Sequence, residues 1–247
     1  MPRRKEPPTR DRLVDAGLRL LEDGGPESLS ARKVCAEIGA SSMAVYTYFD
    51  GMAGLYEALT LEAFARFDRR LAEAPRTTDP VQDVFAIGLA YRDYALAHPQ
   101  RYRLMFGATA PGAGLPPVHD LTAERSASPA PIANASFEQL VTVVRRSMAA
   151  GRLREDDASA VAGQLWTMVH GFVLLEVSGW FGYDGQGVFD ILAPHCVNLL
   201  VGLGDEREAA EGSMVAAAPD PETFRTPAPA AGALPGTRRG PRPRRPG

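Results

Sequence analysis

Residues Leu29 to Leu55 read L-S-A-R-K-V-C-A-E-I-G-A-S-S-M-A-V-Y-T-Y-F-D-G-M-A-G-L. Ser30 is placed to cap a helix running to Ile38, and Gly39 supplies the left-handed residue that ends it. Ser41 then caps a second short helix from about Ser42 to Tyr48. Asp50 is a candidate cap for a long helix whose buried face is Leu55, Leu59, Ala63, Phe67 and Leu71, as far as Pro75. Val34, Ile38, Val45 and Phe49 fall on an inner side, and Ser42, Met43, Tyr46 and Thr47 on an outer one. Cys35 is small enough to let the two short helices approach closely.

Two short helices about a tight turn, with one polar-aromatic face left outside, form the outline of a helix-turn-helix. In that motif the second helix lies in the major groove of DNA and the first braces it across the backbone. Arg32 and Lys33 sit in the first turn of the bracing helix, where a cation opposes the helix dipole at about 0.3–1 kcal/mol each. Facing a phosphate, the same cations and the free N–H groups of that helix end converge on an anion and become favourable. The alternative is that both are solvated surface side chains. The recognition helix lacks Arg, Asn and Gln, the usual readers of guanine and adenine, so base identity has few bidentate partners and shape readout carries more of the selectivity.

Upstream, Leu13, Gly17, Leu20 and Leu21 recur at helical spacing between Thr9 and Asp23, stopped by Gly24-Gly25-Pro26. Downstream the pattern stays helical: Asp79-Pro80 to about His98, Pro99 to Phe106, Pro131 to Ala150, Asp156 to Gly179, and Val188 to Gly204 with a kink at Pro194. A Gly/Pro-rich loop covers Gly107 to about Ser128. From Asp205 onward the chain is rich in Ala, Pro and Gly and offers little apolar surface to offset its ordering entropy, so a disordered tail is expected. The fold class is all-α. The expected organisation is a basic arm (1–8), a helix-turn-helix domain (9–55), a helical body (56–204) and the tail (205–247).

Hydrophobic residues make up 45% of the 247 residues, ample for a packed core, and the net charge of −3 excludes DNA binding through bulk positive charge. Contact with DNA therefore needs a local patch. With only Lys5 and Lys33 as lysines, the arginine excess reads as coding bias, and the Arg238, Arg239, Arg242, Arg244 and Arg245 cluster is better taken as an idle tail than as a DNA anchor. Cys35 and Cys196 are far apart and have no metal-ligand spacing, so no disulfide framework, zinc site or cofactor is indicated. The N-terminus lacks the apolar stretch of a signal peptide, and the run Leu165 to Leu175 is shorter than the roughly 18 residues of a membrane span, which predicts a cytoplasmic protein.

Residues from about Arg10 to Leu59 resemble the N-terminal domain of TetR-like (tetracycline-repressor-like) transcriptional regulators. The likeness rests on L-S-A-R-K-V-C-A-E-I-G-A-S, on Y-T-Y-F, and on the following helix with G-L-Y-E-A-L. It implies that Arg32, Ser42, Met43, Tyr46 and Tyr48 contact DNA, with Tyr46 and Tyr48 mainly at the backbone; the neighbouring Ser41 and Thr47 complete the expected DNA-contact set. One departure is Met52, which stands where that family usually has a phosphate-gripping lysine. The arm residues Arg3, Arg4 and Lys5 either compensate by reaching the minor groove or have no role.

The segment L-W-T-M-V-H-G-F-V-L-L-E-V-S-G-W-F, with H-P-Q-R-Y-R-L-M-F-G at His98 to Gly107, resembles the C-terminal domain of a TetR subgroup marked by a Trp-His-Gly signature. That likeness implies a mostly apolar effector pocket built from Tyr102, Met105, Phe106, Trp166 and His170. The same residues can equally be core with a hydrogen-bonded histidine. It further implies a homodimer through the last two long helices, as a two-fold operator requires. The reading is a ligand-responsive regulator, a repressor bound to a palindromic operator and released by a small molecule. The rival readings are an enzyme and a helical adaptor. Against the enzyme, the sequence has no phosphate loop, no nucleophile elbow, and only His98, His119, His170 and His195 as histidines, none beside an obvious nucleophile.

Overall fold

A computed structural model describes residues 9–106, 131–182, 184–218 and 224, the side chains of 131–133 excepted. The basic arm, the Gly107–Ser128 loop and the C-terminal arginine cluster lie outside the described residues. Among those described, every regular element is helical: α1 Thr9–Gly24, α2 Ala31–Glu37, α3 Met43–Phe49, α4 Met52–Ala72, α5 Pro80–Ala97, α6 Pro99–Met105, α7 Pro131–Ala149, α8 Ala158–Val177, α9 Ala193–Gly202 and α10 Arg207–Ala217.

The caps explain most boundaries. Asp79 Oδ1 accepts the Val81 N–H at 2.9 Å with Pro80 in the first turn of α5, and Asp157 Oδ1 accepts the Ser159 N–H at 2.8 Å at the start of α8. The expected kink at Pro194 takes the form of a wider turn at Val188–Leu192, where the Ala193 N–H reaches back to the Val188 carbonyl. Proline has no N–H and its ring crowds the carbonyl four residues earlier, and the widened turn relieves both.

α4 is the spine of the molecule. It packs against α1 and α3 at one end and against α5, α6 and α7 at the other. The α1–α4 crossing is close because Gly17 has no side chain: a Cβ there would lie 2.8 Å from Leu59 Cδ2. α8 is, by length and composition, apolar enough to cross a membrane, unlike the shorter apolar run within it, and 33% of its most apolar stretch is buried. It packs on α5, α7 and α9.

The tail expectation fails over 207–217, which form α10 on α5 and α9. Large apolar burial is indeed scarce there; polar anchors hold the helix instead. Arg152 grips Asp205 bidentately at 2.6 and 2.8 Å and reaches Asp79 at 2.9 Å, while the Ser213 hydroxyl donates to Asp79. Small residues, Ala210 and Ser213, then let α10 lie close to α5. Burial pushes the Asp79 carboxyl up, but its bonds to Ser213 and to the Val81 and Gln82 backbone, with the Arg152 charge, outweigh that and leave it below the usual carboxylate range.

Candidate functional site

The head is built by α1 to α3 and the start of α4. Ser30, in extended conformation, accepts the Lys33 N–H on its hydroxyl at 3.3 Å and so starts α2. Gly39 (φ 68°) turns the chain, and the Ser41 hydroxyl accepts the Met43 N–H at 3.4 Å. Val34, Cys35, Val45 and Phe49 are buried between the helices, with Ile38 partly buried. Met43, Tyr46 and Tyr48 stand out at 63%, 56% and 45% exposure. That much exposed aromatic surface on one seven-residue helix has no partner within the described chain.

The turn after α3 is tighter than its sequence suggests. Asp50 is in the left-handed region (φ 56°), the only non-glycine there among the described residues, and closes α3 by donating its N–H to the Tyr46 carbonyl at 3.1 Å. It therefore does not cap α4, whose start is flanked by Gly51 at φ 108°. Only Asp50 and Gly51 separate the two helices, and the Asp50 backbone serves the α3 side. Gly54 completes the joint, because a Cβ at that position would fall 1.9 Å from the Phe49 carbonyl oxygen. The angle of α3 on α4 is thus fixed by a missing side chain.

A second constellation lies in the body. The hydroxyls of Tyr91 (α5) and Tyr102 (α6) are 2.9 Å apart, and each is 2.7 Å from Nδ1 of His170 (α8). Phe106 meets the His170 ring edge-on at 4.4 Å between centroids, and Trp166 lies 5.4 Å from it one turn back on α8. Burial lowers the His170 pKa, so the ring is neutral near pH 7. Burial first, then the charge of Tyr102 and the bond to it, raise the Tyr91 hydroxyl well above the usual phenol range, against the lowering effect of Trp166.

Beside this cluster, α5, α8, α9 and α10 line a partly open cavity of about 610 Å³. Its walls are largely apolar, with Ile87, Leu165, Val169, Leu192 and Val215 among them, and Phe224 contributes from beyond α10. Phe224 is seated by Arg92, which donates to its carbonyl at 3.0 Å and lies over its ring. Arg92 is itself held by a bidentate pair with Glu176, at 2.8 and 2.6 Å, both side chains being almost fully buried.

Residues 13–59 match the model of the bacterial regulatory proteins of the tetR family, and residues 84–195 match the tetracycline-repressor-like C-terminal domain. The chain belongs to the TetR family. Similar TetR-like relatives agree: the HTH-type transcriptional regulator Rv1816 of Mycobacterium tuberculosis is 29% identical over 194 residues, covering 70% of this chain and 82% of that protein. A protein of unknown function from Rhodococcus sp. RHA1 superposes with a TM-score of 0.63 at 27% identity over 83% of this chain and all of its own. The fatty acid degradation regulator FadR from Bacillus halodurans shares the fold, with a TM-score of 0.59 at 16% identity over 82% of this chain and all of that one. Rv1816 and the matched family are transcriptional regulators rather than enzymes, and DNA-binding regulation is the function of this TetR-family chain.

The sequence-derived head residues are all exposed: Arg32 at the start of α2, and Ser41, Ser42, Met43, Tyr46, Thr47 and Tyr48 on or before α3. Thr47 differs from its neighbours in that its hydroxyl donates back to the Met43 carbonyl at 3.0 Å. Met52, the departure from the TetR pattern, is half-buried and packs on the core rather than facing outward.

In the body the outcome is split. Tyr102, Phe106, Trp166 and His170 do meet, whereas Met105 is buried core. Of the five, only Trp166 lines the cavity, which sits on the α9–α10 side of the cluster. Sequence reasoning missed Tyr91, which with Trp166 belongs to both cluster and cavity, and the α10 wall. The available signal for α10 was Ala210, Ser213, Met214 and Ala217 at i, i+3, i+4 and i+7, hidden by small residues.

Proposed function

We propose that this TetR-family regulator is a repressor that binds a palindromic operator as a homodimer and lets go when a largely apolar small molecule occupies the α5–α8–α9–α10 cavity. The observation that carries the DNA assignment is the exposed Met43, Tyr46 and Tyr48 face of α3, set rigidly on buried Val45 and Phe49. In this reading residues 9–55 read DNA, the helices from 56 onward bind effector and partner, Arg32 meets a phosphate, and Arg3, Arg4 and Lys5 reach the adjacent minor groove. The protein works in the cytoplasm and engages no membrane.

The exposed apolar side chains Leu175, Trp180, Phe189 and Ile191 lie on and just beyond α8 and before α9, and they support pairing of two chains through these helices. Pairing sets the separation of the two α3 helices to one turn of DNA. Effector action is a population shift: a 100-fold loss of operator affinity corresponds to a coupling of about 2.7 kcal/mol. α6 is suited to carry it. Its Gln100 N–H and Arg101 engage Glu22 of α1, and the next residue, Tyr102, holds His170.

Selection of bound sequences from random DNA tests the proposal. A two-fold symmetric sequence is expected, bound more weakly by Tyr46→Ala and by Arg32→Ala, the latter lowering the salt dependence by about one counterion. Indifference to all sequences, or unchanged binding by both folded variants, overturns it.

A further inference from the structure

The three contacts between Tyr91, Tyr102 and His170 impose a proton count. If Nδ1 of His170 is bare, two hydroxyl protons serve only two of the three contacts, and the third sets lone pair against lone pair at 2.7 or 2.9 Å. If Nδ1 carries the ring's proton, it is shared between the two oxygens, one hydroxyl donates to the other, and all three contacts are served. One hydroxyl proton is then left over. Left on Tyr102, which is fully buried and off the cavity wall, it would be an orphan donor; left on Tyr91, a residue of the cavity wall whose oxygen already accepts from the Trp166 ring N–H, it is free to meet a ligand acceptor.

The charges around the cavity are already balanced. Arg92 is paired with Glu176, and Arg207 with Glu211 at 3.6 Å and with the side-chain Oδ1 of Asn198 at 2.9 Å. Away from the exposed Arg207–Glu211 pair at its rim, a ligand carboxylate would enter apolar surroundings unpaired.

We infer that the cavity accepts an uncharged, mainly apolar molecule bearing one acceptor oxygen, such as a ketone, ester or amide, and that Tyr91 is the residue that recognises that oxygen by donating its spare hydroxyl proton. This rests on the effector reading above only for its regulatory consequence; the binding claim stands by itself.

Three probes of one shape separate the possibilities by calorimetric titration of the full-length protein: 2-acetylnaphthalene, its hydrocarbon counterpart 2-isopropenylnaphthalene, and 2-naphthoate. The ketone is expected to bind about tenfold tighter than the hydrocarbon, the worth of one net hydrogen bond, and tighter than the carboxylate. Tyr91→Phe should bring the ketone down to the hydrocarbon. Equal binding of ketone and hydrocarbon by the unaltered protein, tightest binding of the carboxylate, or binding of none of the three overturns the inference, whether or not the variant folds. A ketone preference that depends on Tyr91 but leaves operator affinity unchanged upholds the site and defeats the effector reading instead.

Discussion

The Arg101 guanidinium of α6 lies 3.5 Å from the Glu22 carboxylate of α1, a nearly buried ion pair that joins the DNA-reading head to the body. Despite that cation, burial wins and the Glu22 carboxyl is raised above its ordinary value. A carboxyl raised by folding binds its proton more tightly in the native state. Its contribution is therefore most favourable below the ordinary pKa and is lost as pH rises through the raised one. Glu22→Gln keeps an acceptor for the Gln100 N–H and removes the ionisation, so its stability relative to the parent should improve between about pH 4 and about pH 7. Urea unfolding of both proteins at the two pH values measures this; a gap moving the other way contradicts the assignment.

Gly54 predicts the sharpest separation of folding from DNA binding. A Cβ 1.9 Å from the Phe49 carbonyl must push α3 off α4. Gly54→Ala should keep the helical circular dichroism, cost about 1–3 kcal/mol as overpacking does, and weaken operator retardation by more than tenfold. Operator affinity equal to that of the parent would mean that the joint relaxes without moving α3.

The Arg92–Glu176 pair should behave asymmetrically. Glu176→Ala removes the carboxylate that a buried guanidinium grips at two points and is expected to cost about 3–5 kcal/mol in chemical denaturation, whereas the double change Arg92→Met with Glu176→Leu recovers part of that, short of what Arg92 contributes by seating Phe224. A single variant costing under about 1 kcal/mol would show that water reaches the pair.

How much of this was legible in the sequence follows the distance along the chain over which each feature is written. Val34, Val45 and Phe49 inside, with Met43, Tyr46 and Tyr48 outside, could be read because helical period and caps are local signals. The Tyr91–His170 bond spans 79 positions and the Arg92–Glu176 pair 84, and no periodicity encodes such meetings. α10 was unreadable for a different reason. Its stability comes from Arg152, Asp79 and Asp205, two of them far upstream, and a count of apolar residues within the segment cannot see them.

Removing residues 207–247 should therefore unroof the cavity while leaving the head intact. The expected result is a lower thermal midpoint and a strong gain in fluorescence of a dye that binds exposed apolar surface. No gain in dye binding would mean that neighbouring helices close over the gap.

α10 has a temporal consequence as well. One wall of the cavity is a short helix tied down by ionic contacts and a serine rather than by apolar bulk, so it is among the first segments to open spontaneously. A molecule too large for the open side of the cavity waits for that event, and its uptake then levels off at the helix's own opening rate, so that the response time to such a signal becomes a property of the protein.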